Sequence, residues 1–417
     1  MTDTTTTKMH VKQLYTYPIK SLRGISLPSF SAMYTGFPHD RRFMLYKVDG
    51  GENMHVSKQT EMCLFTTAFD DPENPTKVVV KYSLDHTFDR PEQKVSADDL
   101  SVSLTPDTAD LDTVEITMHS SPCVGFDVGS SHNKWFSDRF GYEVKLLYIG
   151  SNRRKVLGNM PPGVAGPQQD TSSSTPASAS AGNGNGGNGW LGSLRTATAT
   201  ASSLVTSLTG SGSSTKTSSW TYDGVDEGIS FADVAPYLVV SETSWRDAQR
   251  RLPDGEVMDI SKFRPNIIVE GAESEWDEDF WAELRVGSDA KLVLTQNCAR
   301  CNSLNVDYAT GKVGAGEAGK ILKKLQKDRR VDPGAKWSPV FGRYGFLAKV
   351  PEGKSAAEIK VGDQVTLLKR NSERTRFGKS LSIPLSLSLF LSRSRFKLHN
   401  GPFADRWNPQ IPQNGQI

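Results

Sequence analysis

YTYPIKSLRG, Tyr15 to Gly24, sets the reading of the first half of the chain. Tyr15, Tyr17 and Ile19 alternate with their neighbours, the period of two expected of a strand with one buried face, and the pattern then gives way to Lys20, Ser21 and Arg23. The same grammar recurs downstream. Phe43 to Val48 and Val78 to Tyr82 are apolar runs, Val114 to Met118 alternates, and turn residues separate them. One helix is expected around Trp135, Phe136 and Phe140, stopped by Gly141 ahead of a strand from Val144 to Ile149. Residues 10–150 thus read as a β-rich domain. A second folded segment, 223–369, begins with Pro236 to Val240 and carries strands at Ile267 to Val269, Leu292 to Leu294 and Val365 to Leu368. Ser244 with Asp247 has capping-box spacing before a helix reaching Leu252, and another helix is expected from about Glu317 to Lys327. The fold class is mixed α+β, dominated by strand.

Composition explains what lies between. The 417 residues allow two or three domains, and 36% hydrophobic content is low for a chain that is folded throughout. The dilution sits in 151–222. From Asp170 to Asp223 no acidic residue intervenes and Arg195 and Lys216 are the only cations, so this stretch reads as a disordered Ser/Thr/Gly-rich insertion. Within it Trp190, Leu194, Ala197, Ala201, Leu204 and Leu208 share one face at helical spacing, an arrangement that could touch a membrane surface. The tail, 370–417, is basic and Ser-rich and reads as disordered or as unrelated to the folded segments. With 49 Lys and Arg against 47 Asp and Glu, the charge of +2 argues against a nucleic-acid binder. Four cysteines are too few for a disulfide scaffold, and the opening MTDTTTTKMH has neither a secretory h-region nor an arginine-rich amphipathic pattern, so an intracellular setting is expected.

Three clusters could carry chemistry. Cys298-Ala-Arg-Cys301 follows a strand, and a lone CxxC is open to several readings: half a zinc site, a redox pair, a structural pair, or one reactive thiolate with a neighbour. Arg300 between the thiols favours thiolate and can hold an anion, which suits a soft metal carried by a phosphorylated organic ligand. Lys20 and Ser21, with Asp40-Arg41-Arg42 at another strand end, are donor types that clamp phosphate. Arg264-Pro-Asn266 places polar groups at a third strand mouth. GAGEAGK, Gly314 to Lys320, approaches a phosphate-loop spacing, but Ile321 stands where a magnesium-binding hydroxyl is needed, so a plain turn is expected.

Taken in order, YPIKSLRG, DRRF, FADVAPYLVVSE, FRPNIIVEG, CARCNSLNVDYATG, SPVFGRYG and IKVGDQVTLL resemble the MOSC proteins, and specifically the mitochondrial amidoxime-reducing components and their bacterial relatives. The resemblance spans roughly 10–150 and 223–369. It implies an N-terminal MOSC β-barrel domain and a C-terminal MOSC β-barrel domain with a few helices, with a molybdenum cofactor, Mo-molybdopterin, held between them. By the same resemblance Cys301 is the metal-ligating cysteine and Cys298 the non-ligating one. Lys20, Ser21 and Arg42 match cofactor-phosphate contacts; Asp233, Arg264, Asn266, Arg300 and Tyr344 match positions lining the pterin or metal pocket. Val234, Leu304, Asn305 and Tyr308 depart from the residues common in the family at those places.

The implied activity is reduction of N-hydroxylated compounds such as amidoximes, hydroxylamines and N-oxides. Cys301 would tune the metal and Asp233 would assist proton movement. No Rossmann fingerprint, haem CxxCH or iron–sulfur cysteine set occurs in the sequence. Electrons are therefore expected from outside, by resemblance from a cytochrome b5 and its NADH-dependent reductase. The competing expectation is a non-catalytic module that binds, carries or sulfurates the cofactor; a complete sulfurase would need a pyridoxal-phosphate domain for which these residues leave no room. Location is expected to be cytoplasmic or peripheral to the mitochondrial outer membrane.

Overall fold

Strands with one apolar face must pair and curl until that face is covered, and the computed structural model, which describes residues 8–83, 96–156, 228–350 and 353–377, covers it twice. The largest sheet has eight strands in the spatial order Val365–Arg370, Trp281–Val286, Ala290–Ala299, Val340–Lys349, Tyr237–Ser241, Ile267–Glu270, His10–Thr16 and Ile25–Leu27. The first strand therefore belongs to the sheet built mainly from the second half of the chain, with Leu14 opposite Ile267. It also reaches the far edge: Val11 N donates to Asp363 O at 2.9 Å and Val365 N to Met9 O at 2.8 Å, which curls the sheet into a nearly closed barrel. Val11, Leu14, Val269, Trp281, Leu292 and Leu347 fill its interior.

The other half is a five-stranded sheet, ordered Glu52–Asn53, Phe43–Lys47, Val144–Tyr148, Ser121–Asp127 and Thr113–Met118, with a three-stranded sheet of Phe65–Phe69, Lys77–Tyr82 and Leu100–Ser103. Phe43, Phe65, Phe136, Phe140 and Leu146 share one core, so the helix Ser130–Phe140 closes it from outside. That helix stops as its sequence predicts: Gly141 takes φ 72°, where a side chain would be strained, and its N–H returns to Ser137 O at 2.7 Å. The strand-rich α+β fold with few helices agrees with the sequence.

One local expectation changes and another holds. The cap of the helix Glu242–Arg250 is Ser241, whose Oγ accepts from Ser244 N, because Ser244 Oγ is committed to buried Glu278 at 2.6 Å. The GAGEAGK turn has its backbone donors filled by protein: Glu256 accepts from Glu317 N at 3.1 Å and Ala318 N at 2.6 Å, taking the place an anion would need.

Residues 371–377, which composition assigns to the tail, pack as a strap. Arg374 Nε donates to Asp279, a carboxylate already held by Arg329, while Phe377 N donates to Asp332 and Thr375 accepts from fully buried Arg343. The rest of the tail, most of the insertion and the helical face from Trp190 to Leu208 lie outside the described residues. The ends of the insertion are pinned together, since Arg154 and Ile229 exchange two backbone hydrogen bonds of 2.9 Å.

Two outcomes follow from this architecture. A Cβ at Gly334 would sit 1.9 Å from Phe377 O, so Gly334→Ala is expected to push the strap off and cost about 1–3 kcal/mol in a urea melt. Replacing 157–227 by about six Gly and Ser residues is expected to leave the fold intact and raise stability by about 2 kcal/mol, because the closed loop is shorter.

Candidate functional site

A cavity of about 290 Å³ forms where the strand ends of both sheets meet. Lys20 and Ser21 reach it from the turn after the first strand, Asp233 from the loop leading into Tyr237–Ser241, and Arg264 and Asn266 from the start of Ile267–Glu270. Arg300 and Cys301 come from the end of the long strand Ala290–Ala299, and Tyr344 from its partner strand. Eight of the nine residues singled out in the sequence thus converge. Arg42 does not line the cavity; its guanidinium turns to Gly150 O and stacks on Tyr148 at 5.4 Å. The reason is local: Arg41 takes φ 49°, and this left-handed residue sends its own side chain inward and the next one away.

Arg41, one of the phosphate-clamping donor types in the sequence cluster but not a position that the resemblance assigned, lines the cavity in place of Arg42. It binds Asp40, and with Arg264 it faces the ring of buried Tyr17 at 4.7 and 4.4 Å, so two like charges approach one another over a shared aromatic surface. Arg264 Nη1 donates to Leu22 O at 2.9 Å, but Arg264 Nη2 and Arg300 Nε are buried with no hydrogen-bond partner among the described residues. Leaving a buried cationic N–H unpaired is costly, and two at one cavity make the wall demand an acceptor. Asn266 is spent on structure, its side chain bridging Leu238 N at 3.1 Å and Tyr15 O at 3.3 Å.

The two cysteines differ sharply. Cys298 is buried and takes a 2.8 Å hydrogen bond from Arg300 Nη1; burial pushes its thiol up even though Arg300 opposes the shift. Cys301 is exposed, with Ser303 Oγ 3.3 Å from its sulfur. Of the pair, Cys301 is the one able to meet a ligand.

Across the cavity Lys20 Nζ donates to Asp233 and, at 3.1 Å, to Phe231 O. Burial pushes the Lys20 ammonium down against the pull of Asp233. Burial alone would raise the Asp233 carboxyl, but Lys20 and the His119 ring outweigh it and hold the group well below its ordinary range. Although half of its side-chain surface is open, that surface faces the cavity, so neighbouring charges govern it. His55 also lines the wall, and burial, with Lys20 adding to it, pushes its ring down to about 4.

Behind these groups lies Arg154, 1% exposed, which no motif announced. Its guanidinium donates to the carbonyls of Met118 at 2.9 Å, Ser230 at 3.1 Å, Asp233 at 3.1 Å, and Ala232. One side chain therefore fixes both the 119 turn and the Asp233 loop. Arg154→Ala is expected to destabilise the fold by about 3–5 kcal/mol, measured by urea unfolding, because four oriented carbonyls lose a buried cation. His55 gives a pH test with a definite sign. Between its ordinary value of 6.5 and about 4 the unfolded chain binds a proton that the folded chain refuses, so stability falls as pH drops through that window. His55→Gln is expected to flatten this slope in pH-dependent melts.

Comparison with known proteins places these features. The MOSC N-terminal beta barrel domain matches residues 8–143 and the MOSC domain matches residues 226–366. Human mitochondrial amidoxime-reducing component 1 is 35% identical over 144 residues, 34% of this chain and 39% of that protein. Bovine mitochondrial amidoxime reducing component 2 is 34% identical over 142 residues, 33% and 38% of the two chains. The molybdenum cofactor sulfurase of Arabidopsis thaliana is 24% identical over 366 residues, 85% of this chain but 35% of that one. The match thus spans between about a third and two fifths of each relative. Among the described residues no helix is long and apolar enough to cross a membrane. With an N-terminal MOSC barrel followed by a MOSC domain, and a cavity at their junction, this chain belongs to the MOSC family.

Proposed function

We propose that the chain is a molybdenum-cofactor-dependent reductase of N-hydroxylated compounds: amidoximes, hydroxylamines and N-oxides. The observation that carries this reading is the exposed Cys301 thiol on the same cavity as two guanidiniums, Arg264 and Arg300, each with a buried N–H that has no partner among the described residues. That donor set fits a ligand that is anionic at one end and soft at the other, as a phosphorylated dithiolene is. Cys301 would supply the protein sulfur, with Lys20, Ser21, Arg41, Arg264 and Arg300 offering donors to the anionic parts. When bound, the cofactor supplies the two-electron redox chemistry and the affinity for oxygen that N–O cleavage requires.

The chain's own residues do the rest. Arg300, anchored to Phe263 O at 2.8 Å, orients the strand end that presents Cys301. Asp233, kept ionised by Lys20, puts a fixed negative charge on the cavity wall where a proton can be stabilised. Electrons would come from an external donor; the family resemblance favours a cytochrome b5 served by its NADH-dependent reductase. The relatives' names favour a location at mitochondria, within the expected choice of cytoplasmic or peripheral to the outer membrane.

A second reading rests on the long match to the plant sulfurase: a module that binds or carries the cofactor without reducing substrate. Metal analysis combined with benzamidoxime reduction by a surrogate electron donor separates the two. The reductase reading expects stoichiometric molybdenum and turnover, while molybdenum without turnover establishes the carrier. Cys301→Ala is expected to abolish reduction and Cys298→Ala to keep most of it; the reverse ranking would reassign the metal ligand.

A further inference from the structure

The strand Thr113–Met118 turns directly into Ser121–Asp127, with Met118 opposite Ser121, so His119 and Ser120 alone make the hairpin turn. Both have positive φ, 48° and 63°, the signature of a type I′ turn, whose demand for two left-handed residues is ordinarily met by Asn-Gly. Two successive non-glycine residues are uncommon on that backbone, although His tolerates it better than most, and such a turn persists where the surroundings hold it. Here they do: Arg154 Nη1 holds Met118 O at 2.9 Å, and the same guanidinium holds the Asp233 carbonyl at 3.1 Å. The outcome is a His119 ring on the cavity wall with Nε2 3.4 Å from Asp233 Oδ1 and 44% of the side chain exposed.

We propose that His119 is the proton donor of the N–O cleavage step, with Asp233 as its carboxylate partner. This rests on the reductase reading above. The neighbouring groups leave the role to His119. Lys20 is buried and bound to Asp233 and Phe231 O, Arg154 is consumed by carbonyls, and His55 on the facing loop is kept neutral by its burial. Reduction of an amidoxime to an amidine consumes two electrons and two protons and releases water. His119 gives one proton to the departing hydroxyl oxygen as the N–O bond breaks; the nitrogen takes the second from solvent. The two electrons come from two equivalents of an external one-electron carrier, each oxidised by one electron. Asp233 stays ionised throughout and stabilises the imidazolium, which reloads from water at its open edge.

The test uses the full-length, cofactor-loaded chain with benzamidoxime and reduced methyl viologen as electron source. His119→Gly is chosen because glycine accepts φ 48° without strain. It is expected to melt no lower than the parent and to keep its molybdenum content, yet to lose about 100-fold or more in kcat, a typical contribution of a positioned acid. The pH profile of kcat should change shape, and added imidazole should restore part of the rate. Ser120→Gly relieves the same turn without removing the ring, so it should raise the melting temperature and leave turnover unchanged. Parental turnover and pH profile in His119→Gly would overturn the proposal, and so would loss of molybdenum from that variant, which would make His119 a cofactor-holding residue. A parent chain that is loaded but inert overturns the reductase reading itself, and this inference with it.

Discussion

A buried guanidinium that, among the described residues, grips carbonyls and no carboxylate is the constraint on which the site depends. Arg154 satisfies itself on four backbone carbonyls, from a hairpin of the five-stranded sheet and from the loop that enters the barrel. Burial disfavours its charge, with Asp233 only partly compensating, so the cost of enclosing it is tolerable only if those carbonyls stay where they are. Carbonyls are directional acceptors and a planar guanidinium is a rigid donor, so the arrangement fixes orientation as well as distance. Asp233 and His119 meet because their backbones share this one cation.

The same economy shows in the backbone. Seven non-glycine described residues have positive φ, and four of them, Ser21, Arg41, His119 and Arg264, line the cavity. Each sits in a turn at the end or start of a strand. Sharp left-handed turns aim donors sideways into the cleft, which ordinary strand ends would send along the sheet. Strain of this sort is sustained by packing elsewhere, and the two apolar cores supply it.

Much of this was legible before any coordinates. Strands at Phe43–Lys47, Val144–Tyr148 and Ile267–Glu270, and the helix ending at Gly141, follow from period and turn chemistry alone. Lys20, Ser21, Arg41, Arg264, Arg300 and Cys301 could be picked because their chemistry is written locally, whereas Asp233 and Tyr344 were indicated by the family resemblance alone. His55, His119 and Arg154 could not. None sits in a spacing that means anything on its own, and each acquires its role from a neighbour many residues away. The only available hint was the pair His119-Ser120 between two alternating runs, the place where a hairpin turn belongs. Pairing was equally invisible: a strand's period says that it has a buried face, never which sheet provides the cover.

That last point bears on how the molecule comes into being. His10–Thr16 is flanked in its sheet by Ile25–Leu27 on one side and by Ile267–Glu270 on the other. During synthesis the amino-terminal segment emerges from the ribosome long before the partner on its second side exists, so the barrel cannot seal until nearly the whole chain has been translated. A circularly permuted chain that began near residue 228 and ended with the amino-terminal half would reverse this order, completing most of the large sheet first and adding its missing member late.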